Sequence, residues 1–520
     1  MKIMIKKLEC RFISAINIQL VALTLFGFLL CNVVVAQTHT RVIDKSFDAR
    51  AKLTFNHQRG PLTIKRSTNG KVRFASEIRV ETPNKAEAEA LFDKIESDLD
   101  VSEFGDELKI ALGLDRRKIK TWNQTNNDLT IKFRDGTRIK GLTNFKIQTI
   151  LYVPETKGLR LSANFDDVII ESDVVLNDLS AKLHSANLEA GIVNGNLNLA
   201  MSFGRTVLEK VGGDAEINLH DSKIKMGNAK DVVLDVRFSE IDIGAISALE
   251  AKSHEGRIHI KSIKGKATIN GRFTDYVIAG ASDISVTSHE GNFEIASAKD
   301  VVLDTRFTDY RIGNVASFRA TSHEGQIEVG DVVGNVDLRS KFTDYRFKKI
   351  GNLDINSHEG NLEIKEGKEF IANTRFTDFR FGSIESLEVT DAHEGSYTIE
   401  TIGKLKAKVA FTDFSIEELK ESFELSAHEG DTQIGTVGMG LKKIDLSGRF
   451  YEVEVGIPSN VAYHLYAEMN YGNLSFPSGL EVVKQIEKDS RREYEMKTKN
   501  ANQNSAVIRA EGHEGKVRIR

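Results

Sequence analysis

Apolar and polar residues alternate one by one through most of the chain, from about residue 155 to about residue 480. In Ile327-Glu328-Val329 and Tyr345-Arg346-Phe347, for example, a single charged residue separates two apolar ones. This period of two is typical of β-strands, and the spacing of three and four that indicates a helix does not occur within this region. The pattern therefore predicts strands that follow one another without crossover helices.

The alternating region is built from a repeat of about 35 residues. The sequence His-Glu-Gly and its variants recur at intervals of 34 or 35 residues, at His254, His289, His323, His358, His393 and His428. The sequence Phe-Thr-Asp and its variants recur at the same intervals, at Phe238, Phe273, Phe307, Phe342, Phe376 and Phe411. A period of this length is the signature of a repeat architecture.

Each repeat divides into two similar halves, such as residues 320–334 and 337–351. One structural coil therefore has about 17 residues. Strands that repeat without helices between them stack as parallel coils, each pairing with the coil before and after it. We therefore predict an all-β fold, a parallel β-solenoid (β-helix) of about 17-residue coils.

Outside the repeat, the sequence predicts three further segments. Residues 1–36 have the pattern of a signal peptide. Residues 37–154 form a strand region with one short helix after Pro83, which we expect to be the start and cap of the solenoid, because an open end exposes unpaired strand edges. Residues 155–480 hold the double-coil repeats, and residues 481–520 form a charged loop or hairpin and a final coil.

The signal peptide is predicted from its charge and its apolar centre. A basic start precedes the apolar run Leu20–Leu30, and Val34-Val35-Ala36 offers small residues for cleavage before Gln37. An uncleaved membrane anchor is the alternative. The large Leu30 before Cys31 argues against lipidation of that cysteine.

Cleavage at this position changes what chemistry the mature chain can perform. Both cysteines would be removed, so neither a disulfide nor a cysteine-ligated metal is expected. No transmembrane segment would remain. The net charge would change from −4 to about −7, because the segment carries three net positive charges. Mild acidity spread along the chain argues against a nucleic-acid partner, which needs a basic patch or stripe.

The His-Glu-Gly motif could be a repeated metal site or a repeated turn. Consecutive histidines would lie two coils apart, about 9–10 Å along the axis, whereas the ligands of one zinc ion each approach it to about 2 Å. We therefore predict a structural turn, in which Gly256 and its equivalents adopt positive φ. No catalytic, cofactor-binding or metal-binding residue is predicted.

The Phe-Thr-Asp motif is interpreted as architecture as well. The phenylalanines are expected to face inward and fill the same slot in successive coils, whereas the orientation of the histidines stays open. The glycine-rich repeat of calcium-loaded β-rolls is absent. The aspartates are instead expected to accept hydrogen bonds from local backbone N–H groups in a turn; they are Asp275, Asp309, Asp344, Asp378 and Asp413.

A basic residue precedes five of these phenylalanines and also Phe450, at the degenerate end of the series. The set is called the cation row below and consists of Arg237, Arg272, Arg306, Lys341, Arg375 and Arg449. The row could form an exposed stripe that faces an acidic glycan. The alternative, which the sequence favours, is that these side chains pair with neighbouring Glu and Asp on a solvated face.

The repeated segments SHEGNFEI, SHEGQIEV and SHEGNLEI, with the terminal HEGKVRI, resemble a family of bacterial putative adhesins. These have an auto-transporter adhesin-head-like domain, and the resemblance covers roughly residues 40–520. It implies a right-handed parallel β-solenoid in the envelope of a Gram-negative bacterium, in the periplasm, on the outer membrane or at the cell surface. It offers no catalytic residue.

The sequence therefore favours an exported, non-enzymatic β-solenoid that acts as an envelope scaffold or adhesin-like binding surface. Its partner would be an envelope protein or a glycan of unknown identity. One alternative is a carbohydrate-active β-helix enzyme, a polysaccharide lyase or glycosidase, with a pair such as Asp275 and Glu290 as acid and base. Another is a periplasmic interaction or sensing partner.

Overall fold

The computed structural model describes residues 36–125, 128–165 and 167–520. The predicted signal peptide lies outside the described residues except for Ala36. Contacts divide the chain into two units, Met1–Val175 and Leu176–Arg520.

The described part of the first unit contains twelve strands. They are β1 Gln37–Asp48, β2 Lys52–Gln58, β3 Leu62–Arg66, β4 Lys71–Thr82, β5 Asp100–Phe104, β6 Glu107–Ala111, β7 Ile119–Gln124, β8 Leu129–Phe133, β9 Arg138–Leu142, β10 Asn144–Val153, β11 Thr156–Asn164 and β12 Val168–Ile170. Strand β4 pairs antiparallel with β1 and β10, whereas β2 pairs parallel with β6 and β11. Strands β7, β8 and β9 form a separate antiparallel sheet.

The first unit also contains helix α1, Lys85–Ser97, and a short 3-10 helix, Arg116–Lys118. The side chain of Asn84 caps α1 by accepting a hydrogen bond from the backbone N–H of Ala86. The predicted short helix is confirmed. Among the residues that the structure describes, no helix is long and apolar enough to cross a bilayer.

The second unit is a stack of strands. They are β13 Leu176–His184, β14 Leu188–Val193, β15 Leu197–Val211, β16 Ala215–Met226, β17 Asp231–Ile246, β18 Ala248–Ile263, β19 Lys266–Ile278, β20 Asp283–Ser297, β21 Asp300–Asn314, β22 Ser317–Val437, β23 Lys443–Val455, β24 Tyr463–Asn470, β25 Asn473–Ser475, β26 Glu481–Lys488, β27 Arg491–Lys497, β28 Ala506–His513 and β29 Lys516–Ile519. From β15 to β21 each strand pairs parallel with the next.

The register gives the length of the coil. Arg237 pairs with His254, which pairs with Arg272, so equivalent positions are 17 or 18 residues apart. Strand β22, with 121 residues, runs through several coils without interruption. The predicted parallel β-solenoid is therefore confirmed. Near the C-terminus, β26 and β27 form an antiparallel hairpin that continues onto β24.

The core of the solenoid contains a ladder of stacked aromatic rings. The rings of Tyr276 and Phe293 are 4.8 Å apart between centroids, and those of Phe293 and Tyr310 are 4.9 Å apart. The hydroxyl of Tyr276 lies 2.7 Å from Oγ of Ser253, which is buried as well. Burial raises the pKa of Tyr276. The serine of Ser-His-Glu-Gly therefore gives the buried tyrosine hydroxyl a hydrogen-bond partner in the core.

Candidate binding surface

Each coil of the second unit turns through a corner where a residue other than glycine adopts the left-handed conformation. The φ angles at this position lie between 49° and 63°. Phenylalanine alternates with a shorter polar residue from Ser185 to Phe450, and in the central coils that polar residue is glutamate. A side chain in this conformation costs roughly 1–2 kcal/mol relative to the right-handed one. We call this position the left-handed corner.

The residue after the corner differs between the two motifs. In the His-Glu-Gly coils, Gly256 has a φ of 147°, and a Cβ there would lie 2.2 Å from the carbonyl oxygen of Ser239. The prediction that this glycine adopts positive φ is confirmed, although Glu255 before it is the residue in the left-handed corner. In the Phe-Thr-Asp coils, the buried Thr274 takes the equivalent place, and its hydroxyl donates a hydrogen bond to the carbonyl of Arg272 at 2.8 Å.

The phenylalanine and histidine rings meet along this edge of the solenoid. Each Phe ring in the series lies between the imidazoles of the coils before and after it, apart from the terminal Phe450. Successive ring centroids are 5.4 to 6.3 Å apart, and the ring planes are inclined to each other by 58° to 86°, within the edge-to-face range that aromatic pairs prefer. The series is unbroken over sixteen rings and is called the Phe–His ladder below: His184, Phe203, His220, Phe238, His254, Phe273, His289, Phe307, His323, Phe342, His358, Phe376, His393, Phe411, His428 and Phe450.

The eight phenylalanines of the ladder face solvent. They are between 42% and 50% exposed, so the prediction that they fill the core is wrong. The physical reason is the left-handed corner, which interrupts the alternation of the strand. Arg272 and Phe273 both point outward, between the buried Gly271 and Thr274. A rule of strict alternation misplaces one of these two neighbours.

The cation row runs beside the ladder, because each of its residues directly precedes a corner phenylalanine. All six side chains are exposed, and none forms an ion pair with a residue that the structure describes. The prediction that they pair with neighbouring acids is therefore wrong. Other rows of the solenoid are paired, since Arg346 contacts Glu328 at 2.8 Å and Glu363 at 3.0 Å.

The aspartates of Phe-Thr-Asp tie adjacent coils together. Oδ1 of Asp275 accepts a hydrogen bond from the backbone N–H of Asn292 at 3.1 Å, and Asp309 accepts one from that of Gln326 at 2.8 Å. Asp344 and Asp413 make the same bond, whereas Asp378 accepts from a serine hydroxyl. The prediction of a local turn is wrong, because each partner lies 17 or 18 residues further on. The bonds satisfy N–H groups next to the corner.

A groove near the end of the solenoid brings carboxylates together. Asp413, Asp431 and Glu452 line a cavity of about 330 Å³ with Lys516 and Arg518. Burial, followed by the charges of Asp413 and Glu452, raises the pKa of Asp431. Among the described residues, no group of three or more His, Cys, Asp or Glu is arranged to hold a metal ion.

No family model matches the chain, and no curated protein does either. Among solved structures, a putative adhesin from Bacteroides fragilis is 13% identical, with a TM-score of 0.24, and the match covers 56% of this chain and 97% of that one. A putative cell adhesion protein from Clostridium sporogenes is 9% identical, with a TM-score of 0.17, over 92% of this chain and 99% of that one. A putative lipid binding protein from Parabacteroides distasonis is 15% identical, with a TM-score of 0.18, over 68% and 97%.

Two of these three proteins are putative adhesion proteins, the class that the sequence resembles. At such TM-scores the likeness supports no argument about the ligand or the site.

Proposed function

We propose that this chain is an exported, non-enzymatic binding protein that holds an extended polysaccharide along the Phe–His ladder. The observation that carries the proposal is the presence of eight phenylalanines, 42% to 50% exposed, in the left-handed corner of alternate coils. Glycine or asparagine would fit this corner with less strain. Strained residues that a core does not require point to a functional role for their side chains.

The spacing of the rings suits a regular polymer. Successive phenylalanines lie two coils apart, about 9–10 Å at the usual separation of strands. A polymer in an extended conformation can place the same face of its repeating unit on each ring. The apolar C–H face of a sugar ring packs on an aromatic side chain, and exposed aromatic surface of this extent is a feature of interaction sites.

The polar groups beside the rings suit a ligand rich in hydroxyl groups. The cation row supplies donors, and glutamates such as Glu290 and Glu324, which occupy the corners between the phenylalanines, supply acceptors. The two charges occur in similar number along the ladder. This balance favours a hydroxyl-rich chain over a strongly anionic polymer such as a nucleic acid.

Export is the second part of the proposal. It is supported by the basic start, the apolar run Leu20–Leu30 and the small residues before Gln37. An exported solenoid with a long repetitive binding edge suits an adhesin-like role at the envelope, since polysaccharides are exposed there.

Polysaccharide binding can be tested with four substitutions that keep the corner. In the variant Phe273→Asn, Phe307→Asn, Phe342→Asn and Phe376→Asn, asparagine tolerates the left-handed conformation. Cosedimentation with insoluble polysaccharides and a glycan array should show binding by the wild type and a loss of about tenfold or more in the variant. Stacking of a base on an aromatic side chain contributes about 1–3 kcal/mol per ring, and the variant loses four rings.

The matched control removes apolar surface elsewhere. Val233 and Val302 are 44% and 42% exposed and lie five residues before a corner, away from the ladder. The double variant Val233→Thr and Val302→Thr should bind as the wild type does. Equal binding by the ladder variant and the wild type, or no binding of any polysaccharide by the wild type, would contradict the proposal.

Polysaccharide cleavage is the second candidate function. One observation favours it, the raised pKa of Asp431 in a groove shared with Asp413 and Glu452, because acid–base catalysis uses carboxyl groups with shifted pKa values.

A further inference from the structure

A second candidate site lies within the first unit. It is a cleft of about 630 Å³, which we call the Trp122 cleft. Its volume is within the usual range of small-molecule sites, about 300–1,000 Å³. The residues that carry the argument are Arg59, Arg116, Lys120, Trp122, Phe145 and Phe165, all of which line the cleft.

A guanidinium group is held against two aromatic rings in this cleft. Cζ of Arg59 lies 4.4 Å from the ring centroid of Trp122 and 5.0 Å from that of Phe145. The two rings are themselves 6.0 Å apart between centroids. Stacking fixes the plane of a guanidinium and leaves its N–H edge to bond with polar groups, as the contact of Nη2 with Oε1 of Gln124 at 3.4 Å illustrates.

Backbone geometry aims this arginine into the cleft. Arg59 has a φ of 57°, and Phe165 has a φ of 64°. The residues that precede them, Gln58 and Asn164, pair with each other in adjacent parallel strands. Adjacent coils of the first unit thus place an arginine and a phenylalanine at the same left-handed corner. Phe165 is 46% exposed, so its ring is part of the accessible wall.

Two other cations also line the cleft. Arg116 and Lys120 are exposed, and neither contacts a carboxylate among the described residues. Their neighbours are paired, because Arg117 contacts Asp115 at 3.0 Å and Lys118 contacts Asp98 at 2.7 Å. The described residues that line the cleft include three cations and no carboxylate. The local field therefore favours an anion.

The rest of the lining is neutral, with the aliphatic residues Leu114, Ile119 and Ile147 and three polar residues. Gln58, Thr121 and Gln124 present amide and hydroxyl groups beside the aromatic rings. A ligand that matches this lining carries an anionic group, several hydroxyl groups and an apolar face. We propose that the Trp122 cleft binds an acidic sugar, a molecule of one or two sugar rings with a carboxylate or sulfate group.

The proposal has a built-in reporter, since Trp122 is the only tryptophan of the chain. Titration of the full chain with glucuronate or glucose 6-sulfate should change the tryptophan emission saturably, and calorimetry should give the same affinity. Neutral glucose should give no saturable change. Equal responses to glucose and glucuronate would overturn the requirement for an anion, and inorganic sulfate that binds as tightly as the sulfated sugar would overturn the assignment to a sugar.

Substitutions separate the cations of the cleft from their paired neighbours. The double variant Arg116→Gln and Lys120→Gln should bind glucuronate about tenfold or more weakly, because two charge-assisted hydrogen bonds are lost. Both side chains are exposed, so the fold is not at risk. The control Arg117→Gln should bind as the wild type does. Wild-type affinity in the double variant would overturn the proposal, and the result is independent of polymer binding because the ladder does not line the cleft.

Discussion

The ring of Phe342 lies against the imidazole of His323 in the preceding coil, with 5.7 Å between the ring centroids, although the phenylalanine is 44% exposed. Five residues further on, Phe347 is fully buried. These two phenylalanines separate the roles of the aromatic residues in the repeat. One belongs to the surface ladder and the other to the core.

Substitution of Phe342 should therefore have little effect on stability. In Phe342→Asn, the contacts with His323 and His358 are lost, at about 0.5–1.5 kcal/mol each, but strain in the left-handed corner of about 1–2 kcal/mol is relieved. The free energy of unfolding should change by no more than about 1–2 kcal/mol, whereas Phe347→Ala should lower it by about 3–5 kcal/mol. Urea unfolding of both variants measures this difference, and an equally large loss in Phe342→Asn would place its ring in the core.

The sequence alone was sufficient to predict the coil of the solenoid, but it was insufficient to predict which side chains face outward at the left-handed corner. The period of about 35 residues, with two similar halves, predicts the coil length and the parallel stacking, because a repeat can bury its apolar face only against its neighbours. The orientation of Phe273 could not be derived from alternation, because the left-handed corner places two consecutive residues outside. A usable signal was present nevertheless. When the two halves of the repeat are superimposed, Phe273 falls on Glu290, and a core position would not accept a glutamate in every second coil.

The Trp122 cleft carried no such signal. Arg59, Trp122 and Phe145 lie on three separate segments, and only tertiary packing brings them together. The hydrogen bond from each Phe-Thr-Asp aspartate to the next coil could not be predicted either, because the residue that donates it is distant in sequence. Local motifs predict turns, whereas these contacts depend on the stacking of the coils.

Gly325 should be among the least replaceable residues of the solenoid. Its φ is 139°, and a Cβ there would lie 2.4 Å from the carbonyl oxygen of Thr308 in the neighbouring coil. Gly325→Ala should lower the free energy of unfolding by about 3 kcal/mol or more, since both the backbone conformation and the contact are unfavourable. Gly440 is the matched control because a Cβ there has only an ordinary contact, 3.5 Å from the carbonyl oxygen of Lys420. If thermal melts show Gly325→Ala to be as stable as Gly440→Ala, the corner is not as tightly packed as described.

The first unit should lose stability in mild acid because of His57. This ring is fully buried, and Nε2 lies 2.7 Å from the carbonyl oxygen of Gly60, so Nε2 carries the proton of the neutral ring. Burial lowers the pKa of His57 from 6.5 to about 4. The unfolded chain thus binds the proton more tightly, and the contribution of His57 is complete above pH 6.5 and decreases as the pH falls towards 4.

The lowered pKa of His57 corresponds to a loss of roughly 3 kcal/mol in the free energy of unfolding between pH 6.5 and pH 4. Trp122 lies in the same unit, so its emission in urea titrations at several pH values follows the unfolding of that unit. In His57→Gln, an amide N–H can still donate to the carbonyl of Gly60 and nothing titrates. The variant should therefore show a flatter pH dependence than the wild type, and an identical dependence would assign the acid sensitivity to another group.

Export predicts a new N-terminus. The envelope fraction of cells that express the full chain should contain a protein that begins at Gln37, because the small residues before it suit a signal peptidase. Mass spectrometry of the purified protein measures this directly. An intact Met1 would instead indicate a retained anchor, and an acylated Cys31 would indicate a lipoprotein.

The solenoid should cleave no polysaccharide. The side chain of Asp413 already accepts a hydrogen bond from the backbone N–H of Asp431 at 2.8 Å, as Asp344 does from that of Asn361. Asp413 therefore has the same structural role as an aspartate in a coil without this acidic groove. In earlier coils, the position equivalent to Asp431 is occupied by Asn292, Gln326 and other residues. Asp431 is therefore the only carboxyl group of the groove that departs from the repeat.

Purified full chain should consequently release neither reducing ends nor unsaturated products from acidic or neutral polysaccharides. Removing one member of a catalytic pair lowers the rate by orders of magnitude, whereas a structural carboxylate has no such effect. Asp431→Asn and the control Asp344→Asn keep the Phe–His ladder intact, and both should bind polysaccharide as the wild type does. If products are released and Asp431→Asn alone abolishes their release, the groove is an active site, and the ladder serves to hold the substrate of an enzyme.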